Sequence, residues 1–175
     1  MGRSSQSIIV TKGMRVVKSL WRAMIIGLVA GFVWTPALAA PQITETTKTY
    51  SVSETTARGL RSEMRNKGPK GFWGYTRWDI RWTPGCRVSA RIVYTLPQHS
   101  NPDALPDRTR RAFDRMVANL AAHERLHGQN GINAAHEISR ANCKGGAAII
   151  RKYNRADKEL DRRTNHGARD GVTLD

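Results

Sequence analysis

The amino-acid sequence has no apolar run long enough to span a membrane. Its clearest apolar run, residues 23–34, is short of the ~20 residues that a spanning helix needs. Internal repeats and low-complexity segments are also missing, which excludes solenoid and array architectures. With only two cysteines, Cys86 and Cys143, the chain can form at most one intramolecular disulfide. These absences favour an ordinary globular domain.

The first 39 residues have the composition of an export signal. A basic region precedes the apolar run, and Ala37-Leu38-Ala39 offers small residues to a signal peptidase. We expect cleavage after Ala39 and a mature chain, residues 40–175, that forms a single domain in the periplasm or outside the cell. An uncleaved membrane anchor is the alternative, and Met14 is an alternative start. The basic residues are Arg3, Lys12, Arg15, Lys18 and Arg22.

Acidic residues are scarce, with 14 Asp and Glu against 29 Lys and Arg. Removal of residues 1–39 takes away five basic and no acidic residues, so the formal charge falls from +15 to +10. Such a surface attracts polyanions, and we expect weak contact with anionic envelope polymers or lipid. The basic residues are scattered and not clustered with aromatics, which argues against a specific nucleic-acid partner.

The compartment predicts the state of the two cysteines. Thiols oxidise outside the cytoplasm, so an exported chain is expected to join Cys86 to Cys143. Two free buried thiols are the alternative.

The N-terminal half of the mature chain reads as strands with one short helix. Residues 43–52 alternate like a half-buried strand, and residues 55–66 have helical spacing. Residues 75–83 and 86–96 alternate strictly and are separated by a Pro-Gly turn, which predicts an antiparallel hairpin. Its inner face is predicted to include buried Trp78, Ile80, Trp82, Val88, Ala90, Ile92, Tyr94 and Leu96.

Two helices are predicted after a loop at residues 97–106. Apolar residues repeat at three and four positions from 107 to about 141, although Gly128 and Gly131 weaken the middle of that helix. A second helix is expected from 147 to about 163. The fold class is therefore α+β: a small antiparallel sheet with one short helix, packed on a long two-helix hairpin.

The segment His123-Glu124-Arg125-Leu126-His127 carries the chemistry. Histidines four apart on a helix lie on one face, one turn apart, and can reach a single cation. Both histidines lie on the continuation of the apolar stripe of this helix, so we expect them to face the core. This is the H-E-x-x-H arrangement of zinc hydrolases, in which Glu124 acts as the general base on a zinc-activated water. Buried histidines without a metal are the simpler alternative.

A zinc hydrolase usually has three protein ligands and one open position. If the second helix returns antiparallel from a turn near residue 145, the chain comes level with His127 again at residues 163–166. This predicts His166 as the third ligand. Asp161 falls about one turn short and is the main competitor; if Asp161 binds the metal, His166 becomes a candidate for stabilising the oxyanion.

Short segments spread over most of the mature chain match one known family. They are Tyr50-Ser51-Val52, the helix at 56–64, Gly68-Pro69, the strand at 78–82, Cys86-Arg87-Val88, Leu96-Pro97, residues 123–127, Asn142-Cys143 and residues 161–167. The chain resembles a bacterial family of unknown function described as predicted secreted zinc-dependent proteases. The resemblance implies metallopeptidase activity on peptides or proteins. The chain differs from the family pattern near its C-terminal end, where it has Asp170-Gly171 and the family has Gln-Gly.

The sequence thus predicts an exported zinc metallohydrolase, a peptidase with one Zn²⁺, with His123, His127 and His166 as ligands and Glu124 as base. The rival hypotheses are a non-catalytic binding module with a structural metal, and a metal-free envelope protein that binds anionic polymer through its basic surface.

Overall fold

The computed structural model describes residues 39–175, so the predicted signal segment up to residue 38 and the start at Met14 lie outside the described residues. Strands β1 (Gln42–Val52), β2 (Tyr75–Trp82) and β3 (Val88–His99) form a sheet in the order β1-β3-β2. The α+β class is confirmed. Strand β2 pairs antiparallel with β3 as predicted, but β1 pairs parallel with it, so the sheet is mixed.

The parallel pairing of β1 follows from the connection that leads out of it. Between β1 and β3 the chain forms helix α1 (Ala57–Lys67) and then β2, which carry it back to the end where β1 started. Parallel neighbours need such a long crossover, whereas a two-residue turn can only join antiparallel ones. Helix α1 begins after Thr56, whose hydroxyl accepts a hydrogen bond from the Gly59 backbone N–H.

Strand β3 extends further than the sequence predicted. It runs through Pro97 to His99, although residues from 97 onward were expected to form a loop. The last β2 pair joins Tyr75 to Thr95, whereas Pro97 is paired with Tyr50 of β1. Beyond Thr95, β3 therefore has one neighbour only, and a strand at an edge tolerates a residue without an N–H group.

Helices α2 (Asp107–Arg140) and α3 (Gly146–Thr164) form the predicted helical hairpin. Helix α2 is continuous through Gly128 and Gly131. A Cβ atom at the first would overlap the Tyr94 hydroxyl, and a Cβ at the second would overlap the Trp78 ring. The glycines let the helix approach the sheet closely, and this contact offsets their low helix propensity. None of the helices in residues 39–175 is long and apolar enough to cross a membrane.

The core has one part around α1 and the start of α2, and another between the sheet and the helical hairpin. The predicted inner residues of β3 from Val88 to Leu96 are buried. Trp78 is half-buried, and Trp82 is 39% exposed, so its predicted burial is wrong. Trp82 is the last residue of β2, at the edge of the helical cover, where its ring contacts the start of α3 at Gly146.

The predicted disulfide between Cys86 and Cys143 is confirmed. It ties the β2–β3 turn to the turn between α2 and α3. We expect the double variant Cys86→Ser/Cys143→Ser to lose about 4 kcal/mol of unfolding free energy, because the bond closes a loop of nearly sixty residues. Urea denaturation measures this loss. Reductant should destabilise the wild type equally and leave the variant unchanged; equal stability of the two proteins would contradict the prediction.

Candidate metal centre

Three side chains from two helices converge at the centre of the helical hairpin. His123 and His127 of α2 place their Nε2 atoms 3.3 Å apart. The Oδ1 atom of Asp161 on α3 lies 3.1 Å from Nε2 of His127 and 3.5 Å from Nε2 of His123. Among residues 39–175, these three form the group whose donor atoms could share one metal ion.

The spacing of the three atoms matches the geometry of zinc. Tetrahedral zinc with bonds of 2.0–2.1 Å places neighbouring ligand atoms about 3.4 Å apart. The three separations, 3.1, 3.3 and 3.5 Å, lie close to that value. Two imidazoles and one carboxylate are also a donor set that zinc accepts. The three residues therefore fit a single metal ion with the ligand spacing of zinc.

Two further carboxylates orient the histidines. Nδ1 of His123 lies 2.9 Å from Oδ2 of Asp170, and Nδ1 of His127 lies 3.1 Å from Oδ1 of Asp157. In the tautomer with the proton on Nδ1, each imidazole donates to its carboxylate and directs its Nε2 lone pair toward Asp161 and the other imidazole. In that tautomer the two Nε2 atoms and the Asp161 carboxylate oxygen can share one cation.

The charge around His127 changes its titration. Burial alone would lower the pKa of the His127 imidazole, but the hydrogen bond to Asp157 and the nearby carboxylates of Asp161 and Glu124 raise this pKa overall. The site thus holds an excess of negative charge, which favours a cation.

Glu124 lies beside the histidines and is 6% exposed. Its Oε2 atom accepts a hydrogen bond of 2.7 Å from the Thr76 hydroxyl of β2. Burial raises the pKa of the Glu124 carboxyl, and the hydrogen bond and the two histidines offset this only in part. Gly74 leaves room for this carboxylate, since a Cβ atom there would press against Leu120 and Oε1 of Glu124.

His166 is not in the candidate metal-binding group of His123, His127 and Asp161. Its Nδ1 atom lies 3.7 Å from Oδ1 of Asp161, its side chain is 59% exposed, and its ring packs near Phe72. The geometry favours Asp161 over His166 as third ligand. The sequence prediction placed the third ligand too far along α3, because the turn residues 141–145 were counted as helical. His127 is thirteen residues before the end of α2, and the position thirteen residues into α3 is 159.

The segment after Asp161 folds the chain back over the site. The Thr164 hydroxyl accepts a hydrogen bond from the Gly167 N–H, and residues 165–167 all have positive φ, which ends α3 in a tight turn. Asn119 then donates its side-chain N–H to the Gly171 carbonyl. This turn is what brings Asp170 to His123.

Sequence reasoning missed the roles of Asp157, Asp170 and Thr76. Asp157 was placed two turns from the metal, although its spacing of four from Asp161 puts both on one face of α3. Asp157 also accepts hydrogen bonds from Asn130 and from the Trp78 indole N–H. The departure at Asp170 was visible in the sequence, but its partner depends on the final turn.

The candidate metal-binding group opens into a cavity of about 630 Å³. Its walls come from the start of β2, the middle of α2, the second half of α3 and the terminal turn. Phe72, Trp73 and Tyr75 form an aromatic side, and Asp161 is 34% exposed. The fourth position of an ion held by this group is thus within reach of a molecule in the cavity.

Fold and site define the class: an α+β protein with a candidate His-His-Asp metal centre and an adjacent buried glutamate. The chain belongs to a family of bacterial proteins of unknown function, DUF922, whose model matches residues 47–167. No curated protein and no solved structure matches the chain significantly.

Loss of the Asp170 carboxylate should weaken metal binding. We expect Asp170→Ala to lower zinc affinity about 10- to 100-fold, because His123 loses the acceptor that fixes its ring. Asp170→Asn should lose less, since its amide oxygen still accepts. Competition against a zinc-binding dye measures the affinities, with Asp114→Ala, an exposed carboxylate elsewhere on α2, as control. Affinity of Asp170→Ala equal to that of the control would remove Asp170 from the site.

Proposed function

We propose that this protein is an exported zinc metallohydrolase that cleaves peptide bonds. The observation that carries the proposal is the convergence of two Nε2 atoms and a carboxylate oxygen at zinc spacing beside a buried glutamate. The H-E-x-x-H arrangement on one helix is typical of metallopeptidases. Three protein ligands with an open cavity suit a catalytic zinc better than a structural one, which is usually enclosed by four.

His123, His127 and Asp161 would hold the ion. In this proposal Asp161 takes the place that the sequence alone gave to His166. Zinc in such a site supplies Lewis acidity, which acidifies water and polarises a carbonyl group. Asp157 and Asp170 hold the two imidazoles in the tautomer that presents Nε2.

Glu124 acts as the general base in this proposal. Thr76 donates to Oε2, and Oε1 would be the oxygen that accepts a proton from the attacking water. Its raised pKa suits this role, since a base works best when its pKa lies near the working pH. The same carboxyl can then return the proton to the leaving amine.

His166 is exposed on the cavity wall, next to Asp161. From this position its imidazole can donate a hydrogen bond to the oxyanion that forms on the substrate carbonyl. The aromatic side of the cavity, Phe72, Trp73 and Tyr75, offers apolar contact to substrate side chains, and a volume of about 630 Å³ is within the range of ligand sites.

Export is supported by the disulfide, because such bonds persist in oxidising compartments. The signal-like composition of residues 1–39 agrees with this and points to the periplasm or the exterior.

The test is hydrolysis of a mixed peptide library by the purified protein with zinc. We expect cleavage that stops with a chelator and returns with zinc. Stoichiometric zinc without cleavage of any peptide would support the rival binding module instead. Absence of zinc binding would overturn the proposal altogether.

A further inference from the structure

One face of the sheet is not covered by the helices except at its far end, where Val52 and His99 are buried. The residues of β3 that alternate with its buried positions point to this side, and Ser89 and Arg91 there are exposed. The register places Asp79 of β2 and Thr44 of β1 on either side of Arg91. We call this side of the sheet the open face.

The register arranges the open face as a grid. One row runs Arg77, Val93, Thr46, and the next runs Asp79, Arg91, Thr44. A third row runs Arg81, Ser89, Gln42, and at the opposite end of the grid Thr95 lies between Lys48 and Tyr75. Rows in a sheet are about 6.6 Å apart and strands about 4.8 Å apart, so successive arginines start roughly 8 Å from each other.

Positive charge dominates this grid. Lys48, Arg77, Arg81 and Arg91 oppose a single carboxylate, that of Asp79. Asp79 pairs with Arg81 at 2.9 Å, and this is the one ion pair on the open face within residues 39–175. The other three cations are exposed and are available to an external anion.

Polar uncharged groups lie between the cations. A hollow of about 400 Å³ is lined by Gln42, Thr44 and Ser89 together with the charged side chains of the middle and third rows. Hydroxyl and amide groups exchange hydrogen bonds with sugar hydroxyls, and arginine guanidinium groups bind carboxylates through two parallel bonds. The combination suits a ligand that carries both hydroxyls and regularly spaced carboxylates.

We propose that the open face binds an acidic polysaccharide. The large exposed apolar side chains of the described residues, Phe72, Trp82 and Leu126, do not lie on it, so the face has no anchor for insertion into a bilayer. It also has no exposed aromatic residue for stacking of single-stranded bases. A linear carboxylated glycan can lie across the three strands and meet one cation after another.

This binding is independent of the proposed hydrolysis. The hollow on the open face and the candidate metal cavity share no lining residue, although Tyr75 of the cavity ends the row that contains Lys48. Helices α2 and α3 pack on the opposite side of the sheet. A polysaccharide on the open face would therefore leave the cavity free and hold the protein in the envelope.

The experiment measures binding of the full-length protein to polygalacturonate, an acidic polysaccharide, with and without a chelator. The test variant is Lys48→Gln/Arg77→Gln/Arg91→Gln, which leaves the Asp79–Arg81 pair intact. Its control is Arg108→Gln/Arg111→Gln/Arg115→Gln, which removes the same charge from the exposed start of α2. The single variant Arg91→Gln, in the middle of the grid, is a milder second test.

We expect the test variant to bind at least about tenfold more weakly than wild type and to show a shallower salt dependence, because three ion contacts are lost. The control should change affinity less than about twofold, Arg91→Gln should fall between them, and the chelator should have no effect. Equal weakening in test and control variants would overturn the assignment to this face. Wild-type binding to anionic vesicles or polyphosphate but not to polygalacturonate would overturn the choice of partner.

Discussion

Replacement of Glu124 by glutamine is expected to reduce peptide hydrolysis by about 10²- to 10⁴-fold, the usual contribution of a general base. The amide cannot accept a proton from water, yet it has nearly the same shape and can still accept the hydrogen bond from Thr76. Zinc affinity should stay near that of the wild type, because Glu124 is not in the group of His123, His127 and Asp161. The measurement pairs kcat on a cleaved library peptide with zinc content.

The matched control for this variant is Glu137→Gln, further along the same helix. Glu137 accepts hydrogen bonds from Lys152 and Tyr153 and lies away from the cavity, so its replacement should leave kcat unchanged. Full activity in Glu124→Gln would remove this residue from the mechanism. Loss of zinc from Glu124→Gln would mean that the carboxylate is a ligand instead.

Asp161→Ala should abolish stoichiometric zinc binding, whereas His166→Ala should retain it. The first variant removes one of three converging donor atoms, so we expect a larger loss than the 10- to 100-fold typical of residues that only orient ligands. The second removes an exposed ring whose Nδ1 is 3.7 Å from Asp161. Metal analysis after dialysis measures both variants, and activity should fall in His166→Ala if its imidazole assists the oxyanion.

The opposite result would revise the ligand set. If His166→Ala lost zinc while Asp161→Ala kept it, the terminal turn would have to rearrange to bring the imidazole to the ion. Asp157→Asn is a useful third variant, because it keeps an acceptor for His127 and should therefore retain most of its zinc.

The long helices and the histidine pair could be predicted because each depends on local periodicity. The apolar stripe of α2 leads onto His123 and His127, and both are buried as expected. The β2–β3 hairpin could also be predicted, because strict alternation and a Pro-Gly turn indicate both strands and their antiparallel pairing.

The features that sequence reasoning missed depend on how distant segments meet. The identity of the third candidate ligand depends on the length of the turn between α2 and α3. That length could not be obtained by counting residues along the helix axis. The parallel pairing of β1 depends on the path of the crossover. Asp170 reaches His123 only because residues 165–167 turn the chain back.

The open face is a further feature that depends on how distant segments meet. Alternation in β2 placed Arg77, Asp79 and Arg81 together, but Arg91 joins them only through the register with β3. Four basic residues that are scattered along the sequence, Lys48, Arg77, Arg81 and Arg91, therefore share one face of the sheet.

The central claim is that His123, His127 and Asp161 hold one ion. A crystal of the protein grown with zinc, with data collected at the zinc absorption edge, tests it most directly. The account predicts one strong anomalous peak about 2.0–2.2 Å from the two Nε2 atoms and the Asp161 carboxylate, open to the cavity. An absent peak, or a peak bound by other residues, would contradict it.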